Sequence, residues 1–366
     1  MKVVVDEGIP YVKEAIGTIT GDVAYASGDS FTPELIKDAD ALIVRTRTVC
    51  NRELLEGSNV QFIATATAGY DHIDTRYCRE AGISWISTPG ANANAVAEYV
   101  EAALLLLQKD RGIPLNRMKI GIVGVGNVGA KVSEKANAHG LSILENDPPR
   151  AAREGSGHFV TLEQIARECD IISFHTPLIM EGEYKTYHLA DKEFFHLLKK
   201  KPFIINTARG EVIDTAAMLV TMKRKRISDV IIDVWENEPD ISRALLKRAY
   251  VATPHIAGYS ADAKGNATRM ALEGLCKHFN ITDAEINIEL PRLRITTKKL
   301  YNNYGDIALI TYDPRRDTKK LKKEPERFEE FRNNHPLKRE AEVYHEAYRK
   351  CFNYSSFRKH ISKGMG

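Results

Sequence analysis

The chain has 366 residues, 43% hydrophobic and 28% charged, enough for two or three buried cores and unlike a disordered, collagen-like or mucin-like polymer. Its net charge of +3 hides an asymmetry: residues 287–366 hold 19 basic and 11 acidic side chains, a net of +8, against 33 and 38, a net of −5, over residues 1–286. No stretch reaches the ~18 consecutive apolar residues of a membrane span, Asp6 interrupts any signal-peptide core, and Cys50, Cys78, Cys169, Cys276 and Cys351 form no CxxC pair, so a cytoplasmic protein without disulfide framework or zinc ribbon is expected.

In chain order, the pattern predicts strands at Val3–Val5, Ala41–Val44, Phe62–Ala64, Ile120–Val123, Ser142–Leu144, Ile171–Phe174, Phe203–Ile205, Val230–Asp233 and Tyr250–Ala252. Most are continuous apolar runs, as in strands covered by helices on both faces. Helices are predicted at Pro33–Lys37, Ala93–Gln108, Val128–His139, Leu162–Glu168, Lys192–Leu198, Thr215–Lys225 and Asp262–His278. Strand and helix alternate, which argues for parallel α/β sheets, and the units are too many for one sheet. The expected fold class is therefore α/β, with two doubly wound parallel-sheet domains of Rossmann or flavodoxin-like type. The first covers 1–95 with a chain return at 259–280, and the second covers 96–258. Over 281–366 the pattern changes. Ile286–Leu290 and Ile307–Tyr312 read as strands among charged stretches, and Tyr301, Tyr304, Tyr312, Tyr344, Tyr348 and Tyr354 keep the segment from reading as disordered, so a small α+β module is expected.

The strongest chemical signal is Gly124-Val125-Gly126-Asn127-Val128-Gly129, a GxGxxG between a predicted strand and a predicted helix. The first glycine permits the tight turn, the second lets backbone approach a pyrophosphate, and the third allows helix to pack on strand. The helix N-terminus offers unpaired N–H groups to the phosphates. Asp147 ends the next strand, about twenty residues on, where an acid hydrogen-bonds an adenosine ribose. Its charge disfavours a 2′-phosphate, so the expected cofactor is NAD rather than NADP. A turn role before Pro148-Pro149 is the plainer alternative for Asp147.

Arg209, Glu238 and His255 each follow a predicted strand. Ligands of open α/β sheets bind outside the C-terminal strand ends, so three junctions could deliver a guanidinium, a carboxylate and an imidazole to one crevice. The set suits oxidation of a 2-hydroxy acid. Arginine offers a planar fork to a carboxylate. Histidine takes the hydroxyl proton as hydride leaves for a nicotinamide. A carboxylate beside the histidine favours its protonated form and fixes its orientation. Taken singly, the three read as a surface ion pair, a loop residue and a cap. His175 is read as a binding or packing residue beside the cofactor. No metal site is expected, since no HExxH occurs.

These residues resemble the D-isomer-specific 2-hydroxyacid dehydrogenases, and the resemblance runs along nearly the whole chain. It is carried by Val5-Asp6-Glu7, Val44-Arg45-Thr46, the Ala64–Asp74 run, Asn94–Val100, Gly124–Gly129, Asp147-Pro148-Pro149-Arg150, Phe174–Leu178, Asp233–Pro239, Pro254–Tyr259 and Tyr312–Asp317. It implies Arg209 and Glu238 as catalytic residues and His255 as the proton donor or acceptor. It implies cofactor contacts at Asn127, Val128, Asp147, Thr176, Thr207, Ala208, Asp233 and Gly258, beside Gly124, Gly126, Gly129 and Arg209. It implies substrate contacts at Thr46, Thr67 and Tyr259, and a tail that makes a homodimer. The Asp-Pro-Pro-Arg run and the tail motif point to a member acting on a small phosphorylated 2-hydroxy acid. Arg45, with Arg47, is a candidate grip for that phosphate, the alternative being solvated edge charge, and Arg349 is a candidate contact to a partner subunit's substrate. The stretches Lys223–Ile227 and Arg117-Met118 depart from the family's habit of small residues there. Other readings are a related dehydrogenase acting on 3-phosphoglycerate, hydroxypyruvate or glyoxylate, and an NAD-sensing corepressor-like protein. A nucleic-acid arm is disfavoured, because the tail's charges alternate in sign and carry no recognised motif; no membrane partner is expected either.

Overall fold

A computed structural model describes residues 1–155, 157–293 and 307–351. Its contacts divide the chain into two compact units, Met1–Asn92 with Ser260–Arg292, and Ala93–Tyr259 with the C-terminal segment from Leu293.

The first unit is built on five parallel strands, β1 (Val3–Asp6), β2 (Val23–Ala26), β3 (Ala41–Val44), β4 (Phe62–Thr65) and β5 (Ser84–Ile86), in the order β2-β1-β3-β4-β5. Side chains alternate between two cores. Val3, Val5, Ile43 and Ala64 face the Ala261–His278 helix, which contributes Ala271, Leu272 and Leu275. Val4, Leu42, Val44 and Ile63 fill the opposite face. The three central strands are wholly buried and match the apolar runs of the sequence. The edge strands β2 and β5 are partly exposed and lack the β-branched and leucine-rich runs of the central strands, and they are not among the strands predicted from sequence.

The second unit holds six parallel strands, β6 (Lys119–Val123), β7 (Ser142–Asn146), β8 (Ile171–Phe174), β9 (Phe203–Asn206), β10 (Asp229–Ile232) and β11 (Val251–Ala252), in the order β7-β6-β8-β9-β10-β11. Ile120, Ile122, Ile205 and Ile231 face the Ala93–Arg111 and Asn127–Ala138 helices. Ile172, Phe174, Ile204 and Ile232 face the other layer. The strand order reverses between β6 and β8, which opens the crevice where doubly wound sheets bind ligands. Both sheets fulfil the expected fold class.

The described tail is helical: Ile307–Thr311, Arg315–Lys323, Phe328–Asn333 and Ala341–Cys351. The strand expected at Ile307–Tyr312 is a helix, because Ala308 and Leu309 pack on the helical face of Ala102 and Leu105 rather than pairing as backbone. Ile286–Leu290 is irregular; Ile288 packs into the first unit's core and Leu290 lies against it. The Arg315–Lys323 helix covers the sheet edge, where Ala252 N donates to Thr318 Oγ1 at 3.0 Å. Leu321 and Phe328 enter the core beneath. Tyr301, Tyr304 and Tyr354 lie outside the described residues, as do the side chains of Tyr348 and Arg349. Among the described residues no helix is long and apolar enough to cross a membrane.

Candidate active site

At the end of β6 the chain turns through Gly124 at φ +87°, a conformation that strains any residue with a Cβ. A Cβ on Gly129 would lie 1.9 Å from the Gly124 carbonyl oxygen, so the helix packs directly on the turn. A Cβ on Gly126 would meet nothing within 4 Å. Gly126 is the helix N-cap and supplies no side-chain acceptor to the following N–H groups of Asn127, Val128 and Gly129. The three glycines thus divide into two required by the fold and one that leaves room for an anion.

Asp147 closes this turn from the end of β7. One carboxylate oxygen accepts from Val125 N at 2.8 Å and the other from Arg150 N at 3.0 Å, capping the Pro148–Glu154 helix. The capping role and a ribose contact are compatible, because each oxygen keeps a second lone pair. Thr176 Oγ1 is buried with no hydrogen-bond partner among the described residues. That orphaned hydroxyl, the open space at Gly126 and the uncapped helix together fit a bound dinucleotide. His175 bonds Ser173 Oγ at 2.8 Å and Thr207 Oγ1 at 3.2 Å, and burial pushes its pKa down to about 3, so it is a neutral ring bracing the site. Asn206 fixes the next turn, donating to Arg209 O at 2.9 Å and accepting from Ala208 N at 3.0 Å.

The residues expected to do chemistry stand at the ends of β9, β10 and β11. His255 Nδ1 lies 2.8 Å from Glu238 Oε2. Burial raises the Glu238 pKa, but His255 and then Arg332 outweigh it and hold the carboxyl below the ordinary value. Its other oxygen accepts from Trp235 N at 2.9 Å, which fixes the loop. His255 itself adopts φ +57°, uncommon for a residue with a side chain. Asp233 holds it there. The Asp233 carboxylate, 1% exposed, accepts from Thr253 Oγ1 at 2.6 Å, Ile256 N at 2.8 Å and Ala257 N at 2.9 Å, while its carbonyl accepts from His255 N at 2.8 Å. Tyr99 OH lies 2.7 Å from Thr253 Oγ1 and extends the network to the Ala93–Arg111 helix. The Asp233 carboxylate therefore shapes the loop that carries His255, Gly258 and Tyr259. The sequence did not reveal this task for Asp233, nor any part for Tyr99 and Thr253.

Arg209 is brought to the same strand ends by backbone packing. Gly210 lies so close to Trp235 that a Cβ there would fall 1.9 Å from its carbonyl carbon. The loops bearing Arg209 and Glu238 are therefore in direct contact, and Arg209 Nη1 donates to Ala208 O at 2.8 Å.

In the first unit, Thr46 is exposed just beyond β3. Thr67 follows β4, within 2.7 Å of Thr65 Oγ1 and donating to Gly69 O at 2.9 Å. Arg45 has a structural role that the sequence did not suggest. Its Nε and Nη2 each bond a carboxylate oxygen of buried Asp6 at 2.9 Å, which commits two of the five guanidinium N–H donors and leaves those of Nη1 as the better placed for an anion. Arg47 pairs with Asp29 at 3.3 Å. Among the described residues no cluster suits a metal ion.

Residues 93–257 match the family model of the D-isomer specific 2-hydroxyacid dehydrogenase, NAD binding domain. The chain is 55% identical over 345 residues to the erythronate-4-phosphate dehydrogenase of Bacteroides fragilis, covering 94% of this chain and 98% of that one. It is 40% identical over 350 residues to the enzyme of the same name from Porphyromonas gingivalis, covering 94% and 95%. Among solved structures, NAD+-bound 3-phosphoglycerate dehydrogenase from Entamoeba histolytica superposes with a TM-score of 0.65 at 28% identity, covering 80% of this chain and 99% of that one. D-lactate dehydrogenase from Aquifex aeolicus, complexed with NAD and lactic acid, gives 0.65 at 25% identity, covering 76% and 96%.

Proposed function

Because the chain belongs to the D-isomer-specific 2-hydroxyacid dehydrogenases, in the erythronate-4-phosphate dehydrogenase family, and is an NAD-dependent enzyme, we propose that it oxidises 4-phospho-D-erythronate to 2-oxo-3-hydroxy-4-phosphobutanoate, a step of vitamin B6 (pyridoxal 5′-phosphate) synthesis. The observation that supports the chemistry best is the Glu238–His255 pair, 2.8 Å apart, at strand ends downstream of a dinucleotide turn. With Nδ1 facing the carboxylate, His255 Nε2 is the nitrogen left to accept the C2 hydroxyl proton. Glu238 stabilises the imidazolium that forms. Arg209 binds the C1 carboxylate through its planar fork and polarises C2. NAD, when bound, supplies the acceptor for the hydrogen and electron pair that leave C2.

The proposed cofactor contacts are Gly124, Gly126, Asn127, Val128, Gly129, Asp147, Thr176, Thr207, Ala208, Arg209 and Gly258, with Asp233 acting through the loop it holds. Thr46, Thr67 and Tyr259 are the proposed substrate contacts, and Arg45 Nη1 a further one toward the phosphate. The protein is read as a cytoplasmic homodimer joined through its C-terminal segment. A substrate panel tests the assignment. Turnover of 4-phosphoerythronate should exceed that of 3-phosphoglycerate, hydroxypyruvate and glyoxylate in their reactive directions. Faster turnover of any of the three would move the protein to a sister activity, and no turnover of any would favour an NAD-sensing role.

A further inference from the structure

Arg332 sits on the Phe328–Asn333 helix of the basic tail, far in sequence from the loops described above. Phe328, one helical turn earlier on the same face, is 1% exposed and anchors the helix in the core of the second unit. Arg332 is thereby carried into the strand-end region rather than into solvent; its side chain is 23% exposed. Its Nη1 stands 3.6 Å from Glu238 Oε2, the same oxygen that faces His255. The guanidinium also hydrogen-bonds Tyr259, whose ring meets His335 of the tail edge-on at 6.2 Å.

We propose that Arg332 is a positioning residue for the Glu238–His255 pair: its guanidinium keeps the Glu238 carboxylate ionised and turned toward His255, and ties Tyr259 to the same corner. The tail thereby completes the active site of its own chain. The inference rests on the catalytic reading of Glu238 and His255. The alternative is a routine surface ion pair, but such pairs are solvated at both ends. Here the Glu238 side chain is only 18% exposed, and the anion is already shared with an imidazole. At 3.6 Å the guanidinium acts mainly through its charge.

The groups that bear on this corner are few. Glu238 is faced by His255, Arg332 and the Trp235 N–H. Arg332 is faced by Tyr259 and Glu238, with Asp233 beyond; burial disfavours its charge and these neighbours restore it. His335 is faced by Asp317, Lys338 and Lys320. Loss of the Arg332 charge leaves His255 as the main cation holding Glu238 ionised.

The test uses the full-length protein with saturating NAD and compares Arg332→Met with Arg332→Lys across pH. Below its working range, kcat/KM for the oxidation falls as the His255–Glu238 pair takes up the proton that His255 must be free to accept. In Arg332→Met this acid limb should move up by about half a unit to one unit, which lowers kcat/KM about three- to tenfold on the limb. Arg332→Lys keeps a cation and should hold the limb in place, and in a Glu238→Gln background Arg332→Met should cause no further shift. A wild-type limb in Arg332→Met, or equal shifts in the lysine and methionine variants, overturns the proposal. If Arg332→Met does not fold by thermal melting, Arg332→Gln, which also removes the charge, takes its place beside the lysine variant with the same expected and overturning results. His255→Ala separates the two claims. An inactive His255→Ala beside an unshifted Arg332→Met removes this inference only, whereas an active His255→Ala removes the catalytic reading beneath it.

Discussion

Replacing Gly126 by alanine separates a glycine kept for a ligand from one kept for the fold. At Gly126 a Cβ meets nothing within 4 Å, and the backbone φ is −78°, which alanine adopts readily. The cofactor-free protein should therefore fold unchanged, and restricting the unfolded chain stabilises it by about 0.4–1 kcal/mol. The added methyl group occupies the approach to the uncapped N–H groups of the Asn127–Ala138 helix. Losing one charge-assisted hydrogen bond to a phosphate costs about 1.5–3 kcal/mol, so the NAD Kd should rise about 10- to 150-fold. Gly129→Ala is the opposite case. Its Cβ would lie 1.9 Å from the Gly124 carbonyl oxygen, so the helix must retreat by more than about 1 Å, at the ~1–3 kcal/mol of overpacking. Differential scanning fluorimetry without NAD reads the first effect, with roughly 2–4 °C per kcal/mol in a unit of this size. Titration of NAD by calorimetry reads the second. A Gly126→Ala protein that binds NAD like the wild type, or that melts as early as Gly129→Ala, would refute this assignment of the turn.

His255→Ala should lower kcat by roughly 10²-fold or more with little change in NAD affinity, measured by steady-state kinetics beside a binding titration. Asp147 should make NAD strongly preferred over NADP, and Asp147→Asn should narrow that ratio of kcat/KM; a wild-type preference for NADP would contradict the ribose reading. Stability should respond to acid through His72 and His175, whose pKa values burial holds near about 4 and about 3. Both stay neutral in the fold while the unfolded chain takes up protons below about 6.5, so stability is full above that pH and falls as pH drops toward 4, by up to ~1.4 kcal/mol per unit for each. Unfolding midpoints measured across that window should lose part of this slope in His175→Asn, and an unchanged slope would reject the buried neutral ring.

The glycine turn was legible because each glycine answers a local backbone demand that spacing alone expresses. The Glu238–His255 pair was legible because parallel sheets deliver strand ends to one side, so predicting β10 and β11 amounted to placing both side chains. Edge strands were harder: Val23–Ala26 and Ser84–Ile86 are half-solvated and short, and Val-Ala-Tyr-Ala and Ser-Trp-Ile lack the bulky aliphatic run of a strand buried on both faces. Ile307–Thr311 misled because a short β-branched run suits a strand or a buried helix, and only its packing on Ala102 and Leu105 decides. The work of Arg45 and Asp233 depends on partners far away in sequence, Asp6 for one and the 253–257 loop for the other. Arg332 had one usable signal, a charge one turn after Phe328 on what proves to be the inward face, hidden in a stretch that reads as solvated.

The net +8 of residues 287–366 now divides into parts: Arg315 paired with Asp313 and Asp110, Lys322 on the Ala249 carbonyl, and Arg332 beside Glu238. The central claim is oxidation of a phosphorylated 2-hydroxy acid. Its most direct measurement is NADH formation from 4-phospho-D-erythronate compared with the unphosphorylated acid under the same conditions. Rapid NADH formation with the phosphorylated acid and a much lower kcat/KM with the other is the predicted result. Equal rates with both, or none with either, would contradict the account.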